Sequence, residues 1–368
     1  MATTYRVAVI GSTGRGNYGH GIDTVWRDLP NVEVAAVADD DKSALPAAVK
    51  ATGAKEAFAD YREMLDRVKP QFVGIGPRWL DRHRELAVAC AERGIHIYME
   101  KPFCRSLQEA DEIIAACQRT HAKLALAHQT RYSPMIETVR RLIAEGKIGR
   151  LLELRGRGKE DRRGGAEDLW VLGSHIMNLI VTFAGPAEWC FAQVRQGGHL
   201  VTKADVAAGA EGIGPLAGDR VAATYGLADG VTAYFATQRG AGGGKSRFGL
   251  QLLGTAGIIE ITTGYPGTVA YLGDPAWSPG RSGAAWQPVS TQGVGQKETL
   301  TESGAHAGNL AAVRDLIAAV EEDREPLCGP QDGRATIEMI SAVFESHRLG
   351  GPAKLPLQTL VNPLTLLK

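Results

Sequence analysis

The sequence carries no excess charge of either sign, because its 41 Lys and Arg residues balance its 41 Asp and Glu residues. A chain without a basic surplus has no bulk attraction to nucleic acid or anionic lipid, so neither is an expected partner. No apolar run reaches the roughly 18 residues that a membrane span requires. The first residues, MATTYRVAVIG, lack the basic and apolar regions of a signal peptide, so none is expected.

Cysteine motifs and metal-binding motifs are also missing. The five cysteines form no C-x-x-C, which predicts reduced thiols in a cytoplasmic protein. There is no HExxH motif, no Cys/His pair at ligand spacing and no acidic cage, so we expect no bound metal. The absence of a GxSxG motif leaves serine-hydrolase chemistry without support.

The composition is that of a globular protein with about two domains. Its 368 residues exceed one ordinary domain, and 44% hydrophobic residues with 22% charged residues can build a sizeable core. The 45 glycines follow no period, so they indicate many turns and not a collagen-like repeat.

The first third of the chain alternates between apolar strands and helices. Strands are predicted at Tyr5–Ile10, Val32–Ala38, Phe72–Ile75, Ile95–Met99 and Lys123–Ala127. Helices are predicted between them, the first at Ile22–Leu29. Strands separated by helices form right-handed crossovers and a parallel sheet that is covered on both faces. The fold class is therefore α/β, with a doubly wound Rossmann nucleotide-binding domain over residues 1–128.

After Gly149 the pattern changes to strands joined by short glycine turns, which predicts an α+β domain on a mostly antiparallel sheet over residues 129–350. The predicted strands are Leu151–Gly158, Trp189–Arg195, Arg220–Leu227, Val231–Gln238, Phe248–Leu253 and Ile258–Thr262. One helix, Asp168–Phe183, interrupts them, and Pro266–Gly295 is predicted as a long loop. Two amphipathic helices follow, and residues 351–368 are expected to pack back on the Rossmann domain.

A glycine-rich turn follows the first strand and suits a dinucleotide. In Gly11-Ser-Thr-Gly14-Arg-Gly16, Gly11 and Gly16 take the first and third places of G-x-G-x-x-G, and Thr13 stands at the second, beside Gly14. Exposed N–H groups at the start of the expected helix would hold a pyrophosphate. The alternative is a glycine-rich surface turn.

Asp39 ends the second strand, 23 residues after Gly16, where a carboxylate can accept hydrogen bonds from an adenosine ribose. It would repel a 2′-phosphate, and no Arg adjoins it in Asp39-Asp-Asp41, so NAD is favoured over NADP. An acidic turn is the alternative, since Asp is common in such loops.

Further candidate residues follow the strands. Lys101, in Glu100-Lys101-Pro102 after the strand Ile95–Met99, could move a proton beside a nicotinamide. In the charge run from Lys159 to Gly165, Arg162, Arg163 or Lys159 could reach a hydroxylated or anionic substrate, or the run could be a solvated loop. His20 could flank the cofactor or substrate, or simply belong to a turn.

Several motifs together resemble the Gfo/Idh/MocA family of NAD(P)-dependent oxidoreductases over nearly the whole chain. They are VAVIG with its glycine turn, VAAVAD, Pro77…His83, YMEKP, His128-Gln-Thr-Arg131-Tyr132, EGKIGRL and the helical LGSH that ends at His175. The resemblance implies a Rossmann domain plus an antiparallel-sheet domain and hydride transfer with a sugar, cyclitol or related polyol. It also implies a homodimer or homotetramer through the antiparallel sheet, for which Tyr225, Tyr234 and Phe248 are candidate contacts.

Roles for individual residues follow from this resemblance. Lys101 is implied as the catalytic lysine, Glu100 as a contact of the nicotinamide ribose, and His175 as an acid/base, although a buried structural histidine remains the alternative for His175. The other implied cofactor contacts are Gly11, Thr13, Gly14, Arg15, Gly16, Asp39, Pro77, His83, Lys101 and Gln129. The other candidate substrate contacts are Lys101 and Arg131, together with Arg162 and Arg163 of the charge run and Asp168 near His175.

One departure from the family pattern concerns the helix of His175. The family carries an Asp one turn before this His and another acid three residues after it, and here these positions are Val171 and Asn178. Asp168 shares the helix face but lies about 10 Å away along a continuous helix. Either Lys101 carries most of the proton transfer or His175 has another partner.

Three functions are compatible with these residues. The first is an NAD-dependent dehydrogenase of a sugar, sugar derivative or cyclitol. The second is an NAD-dependent glycosidase that forms a transient 3-keto sugar and eliminates the aglycone, and the missing helix Asp favours considering it. The third is a non-catalytic NAD-binding sensor, against which Lys101 and His175 argue.

Overall fold

The computed structural model describes residues 4–242 and 247–368, which divide into two compact units. The first unit holds the described chain up to Gln129, together with Ala210–Gly214 and Ala305–Arg334. The second unit holds Thr130–Gly209, Pro215–Gly304 and Ala335–Lys368. Each unit has its own sheet.

In the described part of the first unit, six parallel strands form one sheet in the order β3-β2-β1-β4-β5-β6. The strands are β1 (Tyr5–Ile10), β2 (Val32–Ala38), β3 (Glu56–Phe58), β4 (Phe72–Ile75), β5 (His96–Met99) and β6 (Leu124–Leu126). The helices among them are α1 (Leu45–Thr52), α2 (Tyr61–Val68), α3 (His83–Ala91) and α4 (Leu107–Thr120). The central strands are buried on both faces, which explains their continuous apolar sequences.

The predicted helix at Ile22–Leu29 is wrong for most of its length. Only a short 3-10 helix, Val25–Asp28, forms there. The preceding residues form turns in which glycines take positive φ, 89° at Gly16 and 88° at Gly21, a conformation that a helix does not contain. By contrast, α4 has a regular N-terminal cap, because the Ser106 hydroxyl accepts the Glu109 N–H at 3.2 Å.

The second unit is built on a mixed sheet in the order β18-β17-β16-β15-β14-β7-β13-β12-β8-β19, with β9 also paired to β8. Its strands are β7 (Leu151–Arg157), β8 (Trp189–Gln196), β9 (His199–Leu200), β12 (Arg220–Gly226), β13 (Thr232–Gln238), β14 (Gly249–Gly254), β15 (Gly257–Thr262), β16 (Val269–Leu272), β17 (Gln287–Ser290), β18 (Gly293–Val294) and β19 (Ala353–Lys354), and a separate pair is β10 (Ala207–Ala208) with β11 (Pro215–Leu216). Its neighbours are antiparallel except for β7 and β13. This arrangement confirms the predicted fold class.

The helices that follow β6 are α5 (Pro134–Ala144), α6 (Ala166–Val171), α7 (Gly173–Ala184), α8 (Pro279–Ser282), α9 (Gly304–Glu321) and α10 (Pro330–Leu349). The single helix predicted at Asp168–Phe183 is wrong, because it breaks at Leu172 into α6 and α7. The loop predicted at Pro266–Gly295 is also wrong, since it contains β16, β17, β18 and α8. The strands β16, β17 and β18 pair with one another in sequence order. Their Gly- and Pro-rich sequences do not show the apolar pattern that predicts a strand.

The two compact units differ from the predicted domains at two places. The segment Ala305–Arg334, which is predicted within the domain at 129–350, lies in the first compact unit. Residues 351–368, which were expected to pack on the Rossmann domain, belong to the second unit. The physical reason is strand pairing, because β19 adds to the edge of the second sheet beside β8.

The second sheet has one buried and one open face. Along β8 the side chains alternate, with Cys190 buried and Phe191 43% exposed. The helix α7 packs on β7 and β14, where Gly156 leaves room for Ile176. Tyr225, expected on the open face, is instead fully buried, and its hydroxyl donates to the Met339 carbonyl at 3.1 Å.

Within residues 4–242 and 247–368, no helix is both long and apolar enough to span a bilayer. The five cysteines all lie in these ranges, and each is buried as a free thiol. Burial raises the pKa of Cys90 and of Cys117 to about 12 each, so these thiols stay protonated near neutral pH.

Candidate active site

The glycine turn lies at the carboxyl edge of the first sheet, after β1, which neighbours both β2 and β4. Thr13, Gly14 and Arg15 are exposed, and no described atom lies within 4 Å of the place where a Gly14 Cβ would stand. Gly16 is tightly packed, because a Cβ there would come 2.4 Å from the Arg78 nitrogen. The expected helix N-terminus is missing from this stretch, so an anion would meet the exposed tip of the turn.

Asp39 lies at the end of β2 but its carboxylate is not open to solvent, with 1% of the residue exposed. Its Oδ2 accepts the hydroxyls of Thr13 and Tyr18, both at 2.8 Å. Its Oδ1 accepts the backbone N–H groups of Thr13 and Asp41 at 3.1 and 3.0 Å. Since a carboxylate has about four acceptor positions, a ribose hydroxyl needs one of these donors to leave.

Tyr18 is a residue whose part in this site the sequence did not reveal. Its ring lies on Gly11, where an added Cβ would come 2.1 Å from Tyr18 Cε1. Burial, and then the hydrogen bond to Asp39, raise the pKa of Tyr18 well above its ordinary value, so the phenol stays protonated and donates. Tyr18 therefore packs on Gly11, the first glycine of the turn, and also donates to Asp39, the carboxylate that was expected to bind the adenosine ribose.

The acidic run after β2 does have a basic neighbour, contrary to the sequence expectation. Arg82, which directly precedes α3, contacts Asp40 through Nη1 and Oδ2 at 2.9 Å. Asp40 also accepts the Ser12 hydroxyl at 3.2 Å. The arginine lies 42 residues away in the chain, so inspection of the run itself could not find it.

Glu100 and Lys101 follow β5, and both are buried, with 1% and 7% exposed. Glu100 Oε2 accepts the backbone N–H of Lys101 at 3.0 Å. Glu100 Oε1 accepts the backbone N–H of His20 and contacts its ring Nδ1, both at 2.7 Å. Burial pushes the pKa of Glu100 upward, but the hydrogen bond from His20 and the charge of Lys101 outweigh it, so the pKa lies below its ordinary value.

The pKa of His128 depends on the charges of Lys101 and Glu100. His128 is 1% exposed and follows β6 in the first unit. Burial, followed by the positive charge of Lys101 and partly offset by Glu100, lowers the pKa of His128 to about 3. The imidazole is therefore neutral near pH 7.

His83 and Pro77 serve as supports in this structure. The imidazole of His83 is fully buried, with Nε2 at 2.7 Å from the Pro77 carbonyl and Nδ1 at 2.8 Å from the Pro102 carbonyl. The ring thereby ties the segment after β4 to the segment that carries Lys101. A cofactor contact of the His83 ring, which the resemblance implied, would require these bonds to open.

Asn309, on α9, is a second residue that the sequence did not reveal. It is fully buried, and its Oδ1 accepts the Tyr98 hydroxyl and the Gln129 side-chain N–H, each at 2.8 Å. Its Nδ2 donates to the His20 carbonyl at 2.8 Å. Gln129, expected to contact the cofactor, thus holds the group that fixes the backbone of His20.

In the second unit, His175 lies in the first turn of α7 and is partly exposed. Its ring meets the Phe248 ring edge-on, with centroids 6.4 Å apart. Val171, where the family carries an Asp, is a buried apolar residue at the end of α6. Asn178 is buried and its Nδ2 donates to Thr336 Oγ1 at 3.4 Å.

Asp168 is committed to the fold of the second unit. It is fully buried, and its Oδ2 accepts the Glu160 N–H at 3.0 Å and the Thr237 hydroxyl. Gly158 leaves the space for this carboxylate, since a Cβ there would come 2.2 Å from Oδ2. Because α6 and α7 are separate, the expected common helix face of Asp168 and His175 does not exist.

Three arginines were expected near a substrate. Arg163 is paired with Asp161, with Nη2 and Oδ2 at 2.6 Å, and this pairing helps to lower the pKa of Asp161 to about 2. Arg162 is exposed. The Nε of Arg131 is buried without a hydrogen-bond partner among the described residues, so this atom can still donate to a further acceptor.

The first unit fits a dinucleotide such as NAD, with one adjustment. Its open glycine turn lies where the strand order reverses at β1, the position at which this fold binds nucleotides. Thr13, Gly14 and Arg15 are exposed there and could hold a pyrophosphate. The adjustment is at Asp39, which becomes available to a ribose when Tyr18 releases it.

Comparison with protein families gives two matches that together cover most of the chain. The Gfo/Idh/MocA model described as an oxidoreductase family with an NAD-binding Rossmann fold matches residues 5–128. The model described as the C-terminal α/β domain of that oxidoreductase family matches residues 140–355.

Individual proteins are similar over shorter stretches. D-Apiose dehydrogenase of Paraburkholderia graminis is 33% identical over 124 residues, 34% of this chain and 33% of that protein. Levoglucosan dehydrogenase of Pseudarthrobacter phenanthrenivorans is 32% identical over 134 residues, 36% of this chain and 33% of that protein. The matches therefore span about a third of the length of each of these curated relatives.

The fold extends over whole solved structures. The structure of levoglucosan dehydrogenase in complex with NADH and levoglucosan superposes with a TM-score of 0.78, covering 96% of this chain and 100% of that chain. Its sequence is 19% identical, so this likeness concerns the fold.

Proposed function

We propose that this chain, which belongs to the Gfo/Idh/MocA oxidoreductase family, is an NAD-dependent dehydrogenase of a sugar, sugar derivative or cyclitol. The observation that carries the proposal is the carboxyl edge of β5, where buried Lys101 directly follows buried, ionised Glu100. A lysine so placed can exchange a proton with a substrate hydroxyl. The relatives that oxidise D-apiose and levoglucosan support polyhydroxylated substrates.

When bound, NAD⁺ supplies the acceptor for the hydride of the carbinol carbon. The exposed turn residues Thr13, Gly14 and Arg15 would hold its pyrophosphate, and Asp39 its adenosine ribose. Lys101 Nζ exchanges the hydroxyl proton of the substrate. Glu100 fixes the backbone of Lys101, and neutral His128 adds no competing positive charge.

The second unit is proposed to bind the substrate. Arg131 has a buried Nε without a described partner, which suits a hydroxyl or an anionic group of the substrate. His175 is partly exposed, and we assign it a secondary role as acid/base. Arg162 is exposed and can add a contact, whereas Asp168 supports the fold from inside.

The test is incubation of the protein with NAD⁺ and, separately, levoglucosan, D-apiose or myo-inositol, followed by NADH absorbance and mass spectrometry of the sugar. A dehydrogenase must release NADH in amounts that grow with time, along with a product two hydrogens lighter. Protein without sugar is the control. NADH binding without turnover of any polyol in a wider library would contradict the proposal and leave the non-catalytic sensor.

A redox-neutral glycosidase is the second candidate, favoured by the apolar Val171 and the amide Asn178 at positions where the family carries acids. A C3 ketone would acidify the neighbouring C2–H, so that a base could remove that proton and expel the anomeric group. Such an enzyme would release aglycone from a glycoside without NADH accumulation. It would also leave solvent deuterium at C2 of the product, which ordinary dehydrogenation does not.

We further propose that the open face of the second sheet joins subunits into a dimer or tetramer. Phe191 and Tyr234 are 43% and 41% exposed there, and both pair in register with Thr224 between them. An open cleft of about 960 Å³ runs along this face. Phe248 lines it and is half-buried. Light scattering should give a multiple of the chain mass, and the mass of one chain at micromolar concentration would refute the assembly.

A cytoplasmic location is proposed from the cysteines. All five are buried free thiols, which suits a reducing compartment. Alkylation of the denatured protein without reductant should modify all five. A protected pair, which would mean a native disulfide, would contradict the location.

A further inference from the structure

The loop between the glycine turn and the 3-10 helix folds over the carboxyl ends of β4 and β5. Gly19 makes this possible, since its φ is 67° and an added Cβ would come 2.6 Å from the Gly76 carbonyl oxygen and 2.5 Å from Glu100 Oε1. Gly76 follows β4, and Glu100 follows β5. The next residue, His20, is thereby delivered to the strand end that carries Lys101.

The hydrogen bonds of Glu100 determine which ring nitrogen of His20 carries the proton. Glu100 is buried and its carboxylate is ionised, so its oxygens only accept. Nδ1 of His20, 2.7 Å from Oε1, must therefore donate. In the neutral ring this leaves Nε2 as a bare acceptor, the state of an imidazole that is ready to take a proton.

The position of this ring is fixed at two further points. The backbone N–H of His20 donates to the same Glu100 oxygen at 2.7 Å, and its carbonyl accepts from buried Asn309 at 2.8 Å. Asn309 is itself held by Tyr98 and Gln129. The side chain of His20 nevertheless stays 46% exposed, so its Nε2 side is accessible from outside.

We propose that His20 is a catalytic base of the dehydrogenase and that Glu100 and Asn309 are its positioning residues. The inference rests on the proposed function. As the carbinol carbon is oxidised, its C–H electron pair leaves as hydride to the oxidised nicotinamide. The O–H bond breaks, the C=O double bond forms, and the hydroxyl proton passes by way of Lys101 Nζ to Nε2 of His20.

Lys101 and His20 differ in their exposure to solvent, and this difference determines their separate roles in the proposed proton transfer. Lys101 is 7% exposed, so a proton taken up there has no direct route to water, whereas half-exposed His20 can pass its proton to solvent. His20 thus provides a proton exit beside the buried lysine.

The first test needs no substrate. In protein with ¹⁵N-labelled histidine, NMR should show His20 with the proton on Nδ1 and a bare Nε2, and NAD⁺ should shift the Nε2 signal. The signal of His199, which faces Asp205 at 3.0 Å in the second unit, should not move. A proton on Nε2, or an unshifted His20 signal at saturating NAD⁺, would overturn the proposal.

The second test measures turnover of levoglucosan, D-apiose or myo-inositol by the variants. His20→Gln should lower kcat about 10²-fold with the KM for NAD⁺ nearly unchanged, and free imidazole should restore part of the activity of His20→Ala. His199→Gln should behave as wild type. Unchanged kcat in a folded, NADH-binding His20→Gln variant would refute the catalytic role. If wild type turns over no sugar, the proposed function fails instead, while the NAD⁺ titration still decides the placement of His20.

Discussion

The two units treat their polar residues differently. In the first, Glu100, Asp39 and Asn309 are buried, yet each accepts hydrogen bonds from segments distant in the chain. Asn309 also donates to the His20 carbonyl, so Glu100, His20 and Asn309 form a connected network beside Lys101. In the second, His175 meets the Phe248 ring, and Asp168 is bound to Thr237 inside the fold. We therefore propose that proton transfer is organised mainly by the first unit and that the second unit mainly contributes substrate contacts.

The largest effect is expected from Lys101→Met, which keeps the side-chain length and removes the proton carrier. Turnover of the best sugar in the panel should fall at least about 10²-fold, the usual contribution of a general acid/base. NADH fluorescence titration should give nearly wild-type affinity. Wild-type turnover in this variant would show that Lys101 is structural. It would also contradict the proposal that the groups around Lys101 organise proton transfer.

Breaking the buried carboxylate of the second unit should cost stability. Asp168→Ala leaves the Glu160 N–H and the Thr237 hydroxyl without their acceptor, at about 1–3 kcal/mol of unfolding free energy. The matched control is Asp161→Ala in the same segment, a partly exposed pair worth about 1 kcal/mol or less. Denaturant melts compare them, and equal losses would show that Asp168 is not a structural anchor.

Acid should destabilise the first unit through His128. Its pKa is about 3 in the folded chain and about 6.5 unfolded, so between these values the unfolded state binds more protons. Unfolding free energy should therefore fall as the pH drops below 6.5, by at most about 1.4 kcal/mol per pH unit from this group. His128→Gln should show a shallower loss than wild type, and exposed His121→Gln should not. Identical pH slopes for wild type and His128→Gln would contradict the assignment.

The smallest effect is expected from removing the Tyr18 hydroxyl, which occupies Asp39, the expected acceptor for the adenosine ribose. Tyr18→Phe keeps the ring on Gly11 and removes the hydroxyl that occupies Asp39, so NAD⁺ should bind up to about tenfold more tightly. Tyr61→Phe, which loses a similar bond to Glu85 at 2.7 Å, is the control. Affinities for NAD⁺ and NADP⁺ are titrated by fluorescence. Weaker NAD⁺ binding by Tyr18→Phe would show that Tyr18 supports the cofactor.

Much of the fold was predictable because local patterns determine it. The runs Tyr5–Ile10, Val32–Ala38 and Phe72–Ile75 form strands with those same bounds, since central parallel strands are apolar throughout. The short strands within residues 266–295 were not predictable. They are two to four residues long and depend on pairing with neighbours along the ladder.

The candidate site divides in the same way. Lys101 and Asp39 were found because each ends an apolar strand at the carboxyl edge, a position visible in the sequence. Asn309 was missed because its partner His20 is 289 residues away, and the contact leaves no local pattern. Tyr18 was missed because the sequence alone predicts that Asp39 binds the adenosine ribose. Nothing in the sequence indicates that the Tyr18 hydroxyl donates to this carboxylate.

The most direct test of the central claim is a side-by-side measurement of kcat for Lys101→Met and His175→Ala with the same sugar and saturating NAD⁺. Because proton transfer is assigned mainly to groups of the first unit, kcat should fall at least about 10²-fold for Lys101→Met. It should fall about tenfold or less for His175→Ala. NADH affinity should be retained in both. A loss for His175→Ala that equals or exceeds that of Lys101→Met would place the main acid/base in the second unit and contradict the account.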